Sequence, residues 1–288
     1  MLAGGAFAVF FGGNLLDGVA AMLISLLICI LETLLQKQDL QRLVQTMLIS
    51  FLVGVSAFLT VRIGIGVHVD KIMMGAIMLL IPGIAITNSI RDMLFGDTIS
   101  GILRLVESIL MACTVAVGFA MSILLFRSWY GTSTNSLVQQ PWIQVVTAAL
   151  GALGFGIDFT NHPSRLPISA IGGGMVWLVY LVCLTLVPDA FLCCAIAATF
   201  GAIYAEVMAR ISKAPTTVFT TLAEIALIPG GNLYLTMYHV VIGNQEAALS
   251  FGALTVSTAL AIALGIVLVA AFTNSLSILR KGTHRFIG

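Results

Sequence analysis

The residues able to bind a ligand or carry charge are gathered in one stretch, Leu79 to Glu107, LLIPGIAITNSIRDMLFGDTISGILRLVE, inside an otherwise apolar run. Asn88 and Asp92 stand four apart, and Arg104 and Glu107 three apart, so each pair shares a helix face. An arginine in apolar surroundings is suited to holding a carboxylate, and Asp92 or Glu107 to carrying a proton. The plainer alternative is that Arg104 and Glu107 pair with each other near a helix end and only brace the bundle. Glu224, five residues before Pro229, reads as deep in a helix with no obvious partner in sequence. A carboxylate kept from water can take up and release protons near neutral pH. Burial against an Asn or Ser of another helix is the plainer reading. Glu206, four residues before Arg210, reads as an interfacial ion pair.

Two Pro-Gly pairs are placed to organise these groups. Pro82-Gly83 and Pro229-Gly230 each fall near the middle of an apolar run. Proline lacks an N–H, clashes with the preceding turn and pushes the residue before it out of helical geometry. The expectation is a broken helix with proline opening the second segment. A break presents backbone N–H groups of positive dipole character, suited to a carboxylate, and leaves carbonyls suited to an ammonium. A packing kink is the simpler alternative for either break taken alone. Asn232, Tyr234 and His239 follow the second break as polar candidates, with Tyr234 equally readable as a packing residue.

The elements that must position these residues are membrane helices. The chain has 288 residues, 59% hydrophobic and 9% charged, with mean hydropathy +1.10, against about 25% charged in soluble domains. Lipid leaves no backbone group unsatisfied, so apolar runs of this length imply helices. The expected spans are the end of a first helix up to Phe11, then Leu15–Leu35, Thr46–Gly66, Lys71–Phe95 and Ile99–Phe126. After a polar loop from Arg127 to Gln140 come Trp142–Ile157, Leu166–Val187, Ala190–Ile211, Pro215–Val241 and Ala247–Phe272. The fold expected is an all-α polytopic membrane protein of about ten helices, five and five, the first truncated.

Laying residues 51–118 over 198–265 superposes Gly54 on Gly201, Pro82-Gly83 on Pro229-Gly230, Gly96 on Gly243 and Gly118 on Gly265 without a gap. This register predicts a duplication: residues 1–126 as one membrane repeat, 127–141 as linker and 142–288 as the second repeat. Ten of the thirteen Lys and Arg fall on the side holding both termini, against Arg62, Lys71 and Arg127 on the other, which places both termini in the cytoplasm. An odd helix number per repeat makes the halves antiparallel, the inverted-repeat arrangement of many secondary transporters.

Other classes find no footing. The net charge of +1, without a basic block, gives nucleic acid nothing to bind. The five cysteines lie in apolar runs with neither metal nor disulfide spacing, and the four histidines are scattered, so no metal or cofactor is expected. No phosphate-binding GxxxxGK[ST], nucleophile elbow or HExxH occurs, so an enzyme is not expected. The N-terminus has no basic n-region or cleavage site of a signal peptide.

The pattern PG…N…RD…GD…SG…R…E resembles the first membrane half of the threonine/serine exporter family, carried here by Pro82-Gly83, Asn88, Arg91-Asp92, Gly96-Asp97, Ser100-Gly101, Arg104 and Glu107. Ala214-Pro215 and Pro229-Gly230…Tyr234 resemble the family's second module. The resemblance implies a plasma-membrane transporter exporting threonine, serine or similar small amino acids, driven by the proton-motive force. Its implied partners are the small amino acid, protons and the bilayer. Taken together with the residue reading above, the expected site has substrate binding at Pro82, Gly83, Asn88, Arg104, Pro229, Gly230, Asn232 and Tyr234 and proton coupling at Asp92, Glu107 and Glu224, although Glu224 lies outside the family pattern. Family members usually carry a soluble region before the first helix, so a homo-oligomer or a partner supplying that region is an implied assembly. Export of a dicarboxylate such as succinate, and a non-transporting membrane subunit needing a partner, are the alternatives.

Overall fold

The computed structural model describes the backbone of residues 1–38, 40–80, 82–126, 140–159 and 161–285. The expected loop from Arg127 and the basic side chains Arg280, Lys281 and Arg285 lie outside the described residues and side chains. The described residues are all-helical. Short α1 (Leu2–Phe10) leads to α2 (Leu15–Leu35) and α3 (Arg42–Ile63). Then come α4 (Val69–Ile77), α5 (Gly83–Leu94) and α6 (Thr98–Leu125). The later helices are α7 (Pro141–Asp158), α8 (Leu166–Leu186), α9 (Ala190–Ser212), α10 (Thr216–Ala223), α11 (Gly230–Val241) and α12 (Gln245–Arg285).

Seven of these, some extended by a flanking 3₁₀ turn, are long and apolar enough to cross a membrane. Leu15, Ile99, Leu186 and Leu249 project outward almost fully exposed, a surface only lipid can cover at low cost. The protein is therefore a polytopic helical membrane protein.

Helix boundaries follow local chemistry. Asn14 caps α2: its Oδ1 accepts from the Asp17 N–H at 2.8 Å, and Asp17 Oδ2 accepts from the Asn14 N–H at 2.9 Å, a closed capping box. Gly64 at φ 87° and Gly96 at φ 99° end α3 and the turn after α5 in the left-handed region that glycine enters without strain. Expected boundaries shift most at two places. The third span begins at Arg42 rather than Thr46, because a long cationic side chain can sit at a membrane helix end with its head in water. The last helix runs past Phe272 to Arg285.

Three helices of each half start in the same register. The helices α5 and α11 begin at Gly83 and Gly230, α4 and α10 at Val69 and Thr216, α6 and α12 at Thr98 and Gln245, each pair 147 residues apart. The two prolines have matching backbone, φ −77° ψ 41° at Pro82 and φ −77° ψ 43° at Pro229. Each sits one position before the first helical residue. Glycines recur at the same helix contacts. A Cβ on Gly118 would lie 2.5 Å from the Met47 carbonyl oxygen of α3, and one on Gly265 2.7 Å from the Thr199 nitrogen of α9. Small residues let membrane helices approach this closely.

The segments beyond the two breaks cross between halves. Ile86 and Ile90 of α5 pack on Ala259 and Ala263 of α12. Tyr234 and Met237 of α11 join a core built from α2, α3, α4 and α6. Helix α1 lies on α7, with Phe7 over Gly151 and against the Phe155 ring at 5.9 Å. Apolar clusters thus draw on both halves, and each break is held by the opposite half.

Candidate functional site

Both breaks are longer than a proline kink. Helix α4 stops at Ile77, and residues 78–80 form turns before Pro82. Helix α10 stops at Ala223, and residues 224–229 are turn and bend before α11. Glu224 is accordingly the residue that closes α10, not a mid-helix carboxylate as its sequence position implies. Its backbone carbonyl accepts from the Leu227 N–H at 2.9 Å, which turns the chain out of the helix.

The two breaks meet. Met78 of the first packs directly over Gly230 at the second, where a Cβ would collide with its sulfur. Gly83, Leu79 and Ile84 face Ile225, Ile228 and Gly230 across a cavity of about 120 Å³ closed by Phe155 and Phe159. This junction is apolar. The polar groups line spaces on either side of it.

On one side is a cavity of about 280 Å³ lined by Pro229, Gly231 and Asn232 at the start of α11, Trp177 and Tyr180 of α8, Cys194 of α9 and Thr258 of α12. Phe10, Phe11 and Met74 close it from the first half. The Thr258 hydroxyl donates to the Leu254 carbonyl at 2.8 Å, leaving its oxygen free to accept. The Trp177 ring is wedged against Phe10 at 4.6 Å and Tyr180 at 4.9 Å, and its N–H donates to Gln144 at 3.2 Å.

On the other side is a space of about 20 Å³ where Thr87, Asn88 and Arg91 of α5 face Thr220, Thr221 and Glu224. Glu224 is 3% exposed, and its Oε1 has no hydrogen-bond partner among the described residues. Room for it comes from Gly201 of α9, where a Cβ would lie 3.3 Å from Glu224 Cγ.

The remaining predicted residues lie apart. Asp92 accepts from Arg104 at 2.9 Å and from Arg91 at 3.4 Å, so Arg104 pairs with Asp92 and not with Glu107. Helix α5 runs alongside α6 and brings Asp92 within reach of Arg104, a tertiary pairing that outcompetes the neighbour on the same helix. Glu107 is 68% exposed and reaches Arg42 of α3 at 3.9 Å. Tyr234 is buried, its hydroxyl 3.8 Å from Met73 Sδ and its ring against Phe119 and Tyr238. The expected Glu206–Arg210 pair forms at 2.9 Å.

Sequence reasoning missed three features. Arg91 stands in the quoted motif without a role, and only packing shows it at the wall opposite Glu224. Trp177, Tyr180 and Thr258 carry no motif. Asp17 was legible as a charge inside an apolar run. It is fully buried, accepting from the backbone N–H groups of Val67 and His68 at 2.7 and 2.9 Å and lying 2.8 Å from His68 Nδ1. Those bonds satisfy its oxygens and tie the α3–α4 connection to the start of α2.

The fold and these spaces define a class, a polytopic helical membrane protein in which two broken helices meet beside pockets that carry polar groups. The model of the putative threonine/serine exporter family matches residues 1–126, and a second model, threonine/serine exporter ThrE, matches residues 144–272. A threonine/serine exporter of Corynebacterium glutamicum is 23% identical over 280 residues, covering 92% of this chain and 56% of that protein. The chain therefore spans little more than half the length of this relative. No solved structure matches it. The chain belongs to the threonine/serine exporter family.

Proposed function

We propose that this chain is the membrane part of a secondary exporter of threonine, serine or a similar small amino acid, driven by the proton-motive force. The observation that carries the reading is the meeting of two Pro-Gly breaks, one from each family-matched half, beside a cavity lined by Asn232, Thr258, Trp177 and Tyr180. In this proposal the amino acid's carboxylate lies against the N-terminus of α11, where backbone N–H groups favour negative charge. Its ammonium faces the unwound residues 226–228 and the Trp177 and Tyr180 rings. Asn232 and Thr258 meet the side-chain hydroxyl. Glu224 carries the proton. Glu107, exposed and weakly paired, and Asp92, held by two arginines, are assigned lesser parts. The halves are inverted, with both termini cytoplasmic, so that the site opens alternately to each face.

The test is efflux of labelled threonine from proteoliposomes or loaded cells, with and without a protonophore. Efflux that collapses on adding the protonophore and falls at least tenfold in Asn232→Ala supports the reading. No threonine efflux by the chain in its full-length context would overturn it. If unlabelled succinate competes and unlabelled serine does not, the substrate is a dicarboxylate.

A further inference from the structure

Glu224 and Arg91 belong to different halves of the molecule, yet both line the same small space. Glu224 Oε1 is buried and unpartnered among the described residues. A buried unpaired carboxylate is among the costlier features a fold can keep, and here it lies beside a space of about 20 Å³. A cavity needs about 10–15 Å³ to hold one water, which also needs two to four polar partners. Thr87, Asn88, Thr220 and Thr221 supply them. Arg91 meanwhile reaches Asp92 at only 3.4 Å, and Asp92 is already held by Arg104 at 2.9 Å. Moving Arg91 away from Asp92 would leave that aspartate paired.

The surroundings isolate this couple. Among the described residues, Arg91 on α5 is the charged group facing Glu224, and the Cys194 thiol on α9 is a second titratable neighbour. Helices α8 and α12 present Val176, Ile262 and Ile266.

We infer that Arg91 is the counter-charge of a water-linked proton site at Glu224, and that protonation there switches the contact between the two halves. With Glu224 as a carboxylic acid, Arg91 rests on Asp92, the arrangement seen here. Loss of that proton to the cavity water, and onward to bulk water, leaves a carboxylate that draws Arg91 inward and pulls α5 against the α10–α11 break. Uptake of a proton from water reverses both movements and restores the Arg91–Asp92 contact, and no other covalent bond changes. This deepens the proposed export mechanism and rests on it for its transport consequence, though not for the site itself.

The purified full chain in liposomes provides the test. Infrared spectroscopy follows the carboxylic-acid C=O band with pH, and labelled threonine efflux is measured on the same preparations. The expected result is a titrating band that is absent from Glu224→Gln. In Arg91→Gln the pH of half-loss moves up by at least one unit, because the charge favouring the carboxylate is gone. Arg91→Lys stays within half a unit of the parent. A band unchanged in Glu224→Gln, or a midpoint unmoved in Arg91→Gln, overturns the inference. Should Glu224→Gln fail to fold, the two Arg91 variants still decide it. If the band behaves as expected while threonine does not move even with the chain in its full-length context, the export reading falls and the proton site stands. If threonine follows the pH gradient while the band ignores both residues, the reverse holds.

Discussion

At the scale of single residues, burial separates the charges that matter from those that decorate. Arg42 and Glu107 lie 3.9 Å apart with most of each side chain exposed, and such pairs contribute little. Glu107→Gln is expected to leave threonine efflux within twofold of the parent in the liposome assay. Asp17 is the opposite case. It is a buried carboxylate with every bond accounted for, and His68 supplies its closest side-chain partner. His68→Ala removes one partner of that carboxylate while its backbone N–H donors remain, which costs about 1–3 kcal/mol. Reversible denaturation in detergent should show the loss. Efflux per folded molecule should be preserved, since Asp17 borders none of the break cavities.

At the scale of elements, the breaks and the glycine contacts decide the geometry. Gly201 clears space for Glu224, so Gly201→Ala crowds Cγ at 3.3 Å and is expected to cost about 1–3 kcal/mol by overpacking. Its signature is a change in the pH dependence of efflux, which Gly118→Ala, remote from Glu224, should not share. Gly230→Ala would push Met78 out of the junction between the breaks. Efflux should fall at least tenfold, measured beside the unaltered helix content by circular dichroism.

At the scale of the whole molecule, the crossing of α5 and α11 into opposite halves makes the two families of helices interdependent. If the halves are inverted with cytoplasmic termini, a cysteine at Gln38 in a cysteine-free background should be labelled only after permeabilisation. One at Val67 should label in intact cells. Equal labelling at both positions would reject that orientation.

Much of this organisation was legible in the chain alone. Lipid allows only backbone-satisfied helices, so apolar runs of bilayer length spell out spans such as Leu15–Leu35 without reference to any neighbour. Proline's missing N–H marked both breaks, and the family pattern could be read from Pro82 to Glu107. Spacing on one helix foretold the Glu206–Arg210 pair, but tertiary structure alone decided which charges of α5 and α6 meet. A spacing of three or four on one helix says that Arg104 and Glu107 could pair, but α5 lies alongside α6 and brings Asp92 closer. It also moved Glu224 out of a helix interior into the unwound turn and set Arg91 across from it. Helix formation is local, governed by backbone hydrogen bonds within a few residues. A site built from opposite halves depends on how finished helices pack, and no periodicity within one helix encodes that.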